Sequence, residues 1–496
     1  MSLGLPGAGA EGLLADAMPA LPHSAWLLGL LLCAQLPAFA AAAAPGRLVT
    51  DFGPFAPDTA PPVAAATLQR AIDACAAAGG GRVIVPAGPA VTVGGVQLRS
   101  HVELHLERGA VLRGSPHHAD FPVQSPWPIR LPADQPVTTS GVILSATDAE
   151  DIALTGGGLI DGNGGAYVTK RGPEIYECPN ERPFTVVFTR CRHVTVRDVT
   201  LKDSPFWTFR LLGCDDVLVD GIRIDGDRLM PNNDGLDIDW SSNVRVQGCD
   251  ISTGDDCISL KTTPAYSGPP HPCENIVVTN CTLHSHSAAV AVGCDVQGPV
   301  RHAIFSNLAI RDSHRGLAVR LSCNGSIEHI LFSNITVETR LYDDRWWGRG
   351  EPIQILALPW TKDYHNGVIR DIRFSNIIAR GENGVVVVSN EPGHIQDIVF
   401  DRVSLEVGQT TAWDGRRQDF RPFEIGPPAM PEIPVSGYLL RYAGGITWRD
   451  CTVAWGEKRP AYYRQALDAE HSTDLHAEGL TGPSADPAKW PARRIE

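Results

Sequence analysis

The chain has 496 residues, 43% of them apolar, and a formal charge of −14. That acidity excludes a general nucleic-acid or membrane-surface role, because both need a basic face. The 49 glycines and 39 prolines imply many turns and little long helix, which favours an all-β fold, and in so long a chain internal repeats decide whether there is one domain or several.

An apolar run over residues 25–32 precedes Ala38-Phe39-Ala40, the small-x-small pattern of a signal-peptidase site. Residues 1–40 therefore read as a signal peptide and the protein as exported, to a periplasm or the exterior; the alternative is a short membrane anchor. No Lys or Arg precedes Arg47, and a start at Met18 would give a leader of ordinary length. No other run approaches the roughly 20 apolar residues that span a bilayer, so no membrane association is expected after leader removal. Of the twelve cysteines, Cys33 lies in the leader and leaves an odd number. Cys178 with Cys191, or Cys294 with Cys323, are candidate disulfides, with connectivity left open. No Cys/His cluster has zinc spacing.

Residues 48–53 read as a first strand, and residues 63–78 as an amphipathic helix with Leu68, Ile72 and Cys75 on one face and Gly79-Gly80-Gly81 behind it. Strands follow at 82–86 and 102–107. Residues 41–110 are thus expected to form an N-terminal cap. From about residue 150 an eight-residue pattern recurs, apolar at positions one, three, six and eight, starting at Ile152, Val194, Val217, Val244, Ile276, Ala303, Ile330, Ile372, Ile398 and Ile446. A unit this small cannot bury its own apolar face, so the copies must stack, which is the logic of a parallel β-helix. We expect that solenoid over residues 111–455, and a C-terminal cap and loose tail over 456–496.

Position five of the repeat is Asn280, Asn307, Asn334 and Asn376, and Gly221 and Gly248 in earlier copies. Asn and Gly tolerate left-handed backbone, and stacked asparagines can bond one another. Cys249, Cys281 and Cys451 stand at apolar position six and read as core filler.

Chemistry concentrates between residues 232 and 261. Asp234 precedes one short strand as Asp256 precedes the next, so stacking would bring Asp234, Asp255 and Asp256 onto one patch. Crowded carboxylates push their pKa values apart, which suits acid/base work better than packing. Aligning Leu236/Ile238, Ile258/Leu260, Val290/Val292 and Leu317/Val319 puts Asp237, Ser259, Ala291 and Ala318 in one outward column, and Asp239, Lys261, Gly293 and Arg320 in the next. Asp237 and Asp239 are expected to be solvated or paired with Lys261 and Arg320.

At these residues the sequence resembles glycoside hydrolase family 28, the polygalacturonases and their relatives. Asn232-Asn233-Asp234 is similar to the family's Asn-Thr-Asp motif and Gly254-Asp255-Asp256 to its Gly/Gln-Asp-Asp motif, and the likeness extends from Asp51-Phe52-Gly53 through Ser204-Pro205-Phe206-Trp207 to the late coils. The resemblance implies a right-handed, single-stranded parallel β-helix and an inverting hydrolase in which Asp255 is the general acid while Asp234 and Asp256 activate water. Such a pair is typically separated by roughly 6.5–9.5 Å. The family's Gly-His-Gly histidine falls on Ser287, one residue after His286, and we take His286 as the catalytic-site histidine. The family's Arg-Ile-Lys aligns with Ala318-Val319-Arg320; Arg320 can still hold a carboxylate bidentately but Ala318 cannot. Asn232, Lys261, Ser287, Arg320, Trp346 and Trp347 are the expected sugar contacts, with Trp360 a further candidate for the cleft wall. A monomer acting on a pectic poly- or oligosaccharide without a cofactor is expected. The alternatives are a calcium-dependent polysaccharide lyase and a non-catalytic carbohydrate-binding β-helix.

Overall fold

A computed structural model describes residues 46–126, 139–264, 266–421 and 430–496; the expected signal peptide and the Met18 start lie outside them. Among the described residues no helix is long and apolar enough to cross a membrane. The helix Pro61–Ala77 begins with Pro at its first positions, where a missing N–H costs nothing, and buries Leu68, Ile72 and Cys75. Gly79, Gly80 and Gly81 all take positive φ behind it, turning the chain into Gly81–Val85. The strand expected at 48–53 shrinks to Arg47–Leu48, because Val49–Phe52 coils into a 3-10 turn.

The rest is a right-handed parallel β-helix. Each coil adds strands to both of two long sheets, 23-stranded and 14-stranded among the described residues and parallel except where Gln124–Pro126 pairs antiparallel with Thr139–Thr147. The ten repeat starts fall into one register column: Ile152, Val194, Val217, Val244, Ile276, Ala303, Ile330, Ile372, Ile398 and Ile446 pair successively. Inside, Phe305, Phe332, Phe374 and Phe400 stack at 5.0, 4.9 and 5.3 Å between centroids. At position five, Asn280, Asn307, Asn334 and Asn376 are all left-handed; Asn376 donates to Asn334 at 2.7 Å and Asn334 to Asn307 at 3.3 Å. A second left-handed column, one residue before each start and including Asn243, Asn275, His302, His329 and Asp371, has no single residue type to announce it.

Three expectations are corrected. Parallel pairing already joins Gly81–Val85 to Val102–Leu106, so residue 111 falls inside the stack. At the other end, Leu467–Glu470, Thr473–His476 and Arg493–Ile495 pair onto preceding strands, so residues 456–496 continue the solenoid. Leu475, Ala477 and Leu480 repeat the pattern there, with Gly482 in place of its last apolar residue. Neither Cys178 with Cys191 nor Cys294 with Cys323 forms a disulfide: Cys178 lies against Met230 at 3.5 Å, and Cys191, Cys249, Cys281, Cys323 and Cys451 are buried.

Candidate active site

Two turns bring the acids together. Leu236–Asp239 and Ile258–Thr262 pair Leu236 with Ile258, and the Gly235 N–H donates to the Asp256 carbonyl at 2.8 Å, so Asp234 and Asp256 occupy the same step of adjacent coils. Asn233, fully buried, accepts from the N–H groups of Gly254 at 2.8 Å and Asp255 at 3.1 Å. Its own amide donates to the Asp227 carbonyl at 2.8 Å, which clamps the Asp255 turn onto the coil before it. One carboxylate oxygen from each of Asp234, Asp255 and Asp256 lies within 4.8 Å of the other two. These are single oxygens, one from each acid, whereas the roughly 6.5–9.5 Å typical of an inverting pair is measured between whole carboxyl groups.

Burial, followed by the charges of Asp234 and Asp256, pushes the Asp255 carboxyl well above the usual carboxylate range. Burial also raises Asp234, against the pull of Lys261. Burial disfavours the Lys261 ammonium, but Asp234 and Asp237 outweigh it and hold it well above its ordinary value. That ammonium lies 2.9 Å from Asp234 Oδ2, 2.9 Å from Asp237 Oδ1 and 3.8 Å from the Trp207 ring centre. Clustered carboxylate oxygens suit calcium, and these three acids are the one such set among the described residues; Lys261 already supplies a positive charge at Asp234. Asp256 Oδ1 accepts from Ser287 Oγ at 2.8 Å and from the Ala288 N–H at 3.0 Å. Asn232 Nδ2 stands 3.5 Å from Asp255 Oδ2.

Asn232, the three acids, Lys261 and Ser287 line a cleft with Trp207, Ala288, Ala291, Arg315, Arg320, Trp347 and Trp360. Ala288, Ala291 and Ala318 pack as a small apolar floor. At the end away from Asp234, Arg315 Nη2 lies 3.4 Å from Asp419 and Arg320 donates to the Arg421 carbonyl. Trp207 and Arg315 were missed in the sequence. Arg315 was legible there: it stands two residues before Leu317, as Asp234 does before Leu236 and Asp256 before Ile258, and register pairing puts it beside Ala288.

Other expected residues are placed differently. His286 is outside the cleft lining; its ring lies 3.8 Å from that of Tyr342 and 5.6 Å from that of Trp346. Burial, with Arg228 adding to it, lowers its pKa to about 3, so it is neutral at ordinary pH. Trp346 is a core residue, buried, its Nε1 donating to the Glu174 carbonyl at 2.8 Å; only its neighbour Trp347 faces the cleft. Asp237 and Asp239 are fully buried rather than solvated: Asp237 pairs with Lys261, as the paired alternative expected, whereas Asp239 pairs with Arg210 at 2.7 Å instead of Arg320. Ser287→Ala, which removes one hydrogen bond to a carboxylate, is expected to lower kcat/KM by roughly tenfold or more. His286→Phe is expected to change the melting temperature and leave kcat near wild type. Steady-state kinetics on both variants separates the two roles, and an equal loss of kcat at His286 would restore it to the chemistry.

The sequence model of Glycosyl hydrolases family 28 matches residues 133–413. A probable polygalacturonase of Vitis vinifera is 30% identical over 229 residues, 45% of this chain and 46% of that protein. The chain spans about half, or less, of the length of the first curated relatives it matches. Two solved structures share the fold: a hyperthermoactive exopolygalacturonase from Thermotoga maritima (TM-score 0.63, 20% identity, 82% of this chain and 91% of that one) and a family 28 exopolygalacturonase from Yersinia enterocolitica (TM-score 0.62, 17% identity, 88% and 79%).

Proposed function

The chain belongs to glycosyl hydrolases family 28, and from that premise we propose that it hydrolyses glycosidic bonds in pectic, galacturonic-acid-containing poly- or oligosaccharides, with inversion. The observation that carries this reading is the close triad in which buried Asp255, its pKa raised by burial and by its acidic neighbours, stands beside buried Asp234 and half-buried Asp256. Asp255 gives its proton to the glycosidic oxygen as the bond to the anomeric carbon breaks. A water held by Asp234 and Asp256 attacks that carbon and surrenders a proton to one of the two carboxylates. Proton exchange with solvent then resets the site. Arg315 and Arg320 at the far end of the lining supply cations suited to a uronate carboxylate, and Ala288 and Ala291 a flat apolar seat for a sugar ring. Export to the periplasm or exterior as a monomer belongs to the same reading, and the Ala38-Phe39-Ala40 site supports the export. N-terminal sequencing of the mature protein is expected to start at Ala41.

NMR of the first products from a panel of pectic fragments tests the reaction. New reducing ends of inverted configuration are expected, unaffected by chelator. A retained anomer would remove the inversion, and an ultraviolet-absorbing unsaturated product lost with chelator would make the protein a lyase.

A further inference from the structure

The outward face of the 14-stranded sheet is open to solvent along only part of its length. Strands in such a sheet lie about 4.8 Å apart, so the four strands from Leu236–Asp239 to Arg315–Leu321 give the cleft a floor of roughly 14 Å. On the N-terminal side Trp207 ends it. Behind Trp207, Val142, Phe184, Val187 and Phe206 form a buried apolar cluster on the outside of the sheet, and buried Arg210 reaches across to the Pro126 carbonyl at 2.8 Å. On the C-terminal side the outward face of the next two strands, Glu351–Ala357 and Val385–Ser389, is covered by chain from outside the sheet. Their outward residues Leu356, Val386 and Val388 pack under Phe420, and Gln354 donates to the Asp419 carbonyl at 3.1 Å.

The chain around Asp419 is fastened to the segment carrying Trp347. Arg421 donates to the carbonyls of Trp346 at 2.6 Å and Asp344 at 2.7 Å, and its guanidinium lies 5.0 Å from the Trp347 ring centre. Gly348 N–H donates to Asp419 at 2.6 Å, and Arg417 and Arg349 both bind Asp344. A barrier held at so many points does not yield to a polymer, so among the described residues a long chain has no path along the sheet past the acids in both directions. We infer that the protein takes the end of a pectic chain, or a short oligosaccharide, into a closed pocket and releases terminal units, with the Trp347–Arg421 barrier setting the limit. This rests on the hydrolytic reading above.

The test follows reducing ends, viscosity and product lengths together as the full chain acts on polygalacturonate and on size-defined galacturonate oligomers. One short product from the earliest times is expected, with viscosity staying near its starting value. A spread of intermediate lengths with an early fall in viscosity would overturn end-wise attack while leaving hydrolysis intact. No new reducing ends on any substrate would overturn the hydrolytic reading instead. Arg421→Ala, which unfastens Trp347 without touching the acids, is expected to raise the share of internal cuts. A folded variant with an unchanged product pattern would remove the barrier from its assigned role, and if the variant fails to fold the wild-type product pattern still decides between the modes.

Discussion

Asp255→Asn should abolish most of the hydrolysis, lowering kcat by about two to four orders of magnitude, the usual contribution of a positioned general acid. Asn keeps the shape and loses the transferable proton, so circular dichroism should match wild type. The sign of the pH dependence follows from the raised Asp255 pKa. The working form is protonated, so wild-type activity should fall as pH rises through that value, and the variant's residual rate should lack this limb. Stability should move the other way. A carboxyl whose folded pKa lies above its unfolded one loses stability as pH rises between the two, and above that window a buried Asp255 carboxylate opposes folding. The variant should therefore melt higher than wild type at neutral pH. Substantial residual hydrolysis with an unaltered pH profile would take the acid role away from Asp255.

Lys261→Met is the second large effect, and here the loss is in the fold. Lys261 reads from sequence as a sugar contact and does line the cleft, but its ammonium is held between Asp234 and Asp237, both buried. Removing one member of a buried ionic group leaves uncompensated charge, which typically costs about 3–5 kcal/mol. Denaturant unfolding of Lys261→Met should show a loss of that order, and kcat should fall as well, because Asp234 loses the partner that favours its ionised form. Adding Asp237→Asn should recover part of the stability by removing the carboxylate left unpaired at the Asp237 end, and should not recover kcat. A Lys261→Met variant as stable as wild type would mean that water, not Lys261, compensates these acids.

Much of this protein is legible along the chain because a solenoid is a local code. Apolar spacing within one coil specifies which residues face inward, and stacking identical patterns aligns them, so the column from Ile152 to Ile446 and the pairings of Leu236 with Ile258 and Val290 with Leu317 follow from periodicity alone. The convergence of Asp234, Asp255 and Asp256 follows by the same reasoning, since Asp234 and Asp256 precede equivalent strands by the same two residues. What the tertiary structure decided lies where periodicity stops. At the turn before Ala288 a one-residue difference selects which side chain meets Asp256, and backbone geometry gives that place to Ser287 and sends His286 into the packing around Tyr342. Asp237 and Asp239 stand on the outward side of their strand as the alternation requires, yet they are buried, because Lys261 and Arg210 from neighbouring coils fold over them. The closure of the cleft is least visible in the sequence. It depends on two distant irregular segments, one with Asp344 and Trp347 and one with Asp419 and Arg421, meeting over the sheet through long-range hydrogen bonds and charge pairs that no local pattern encodes.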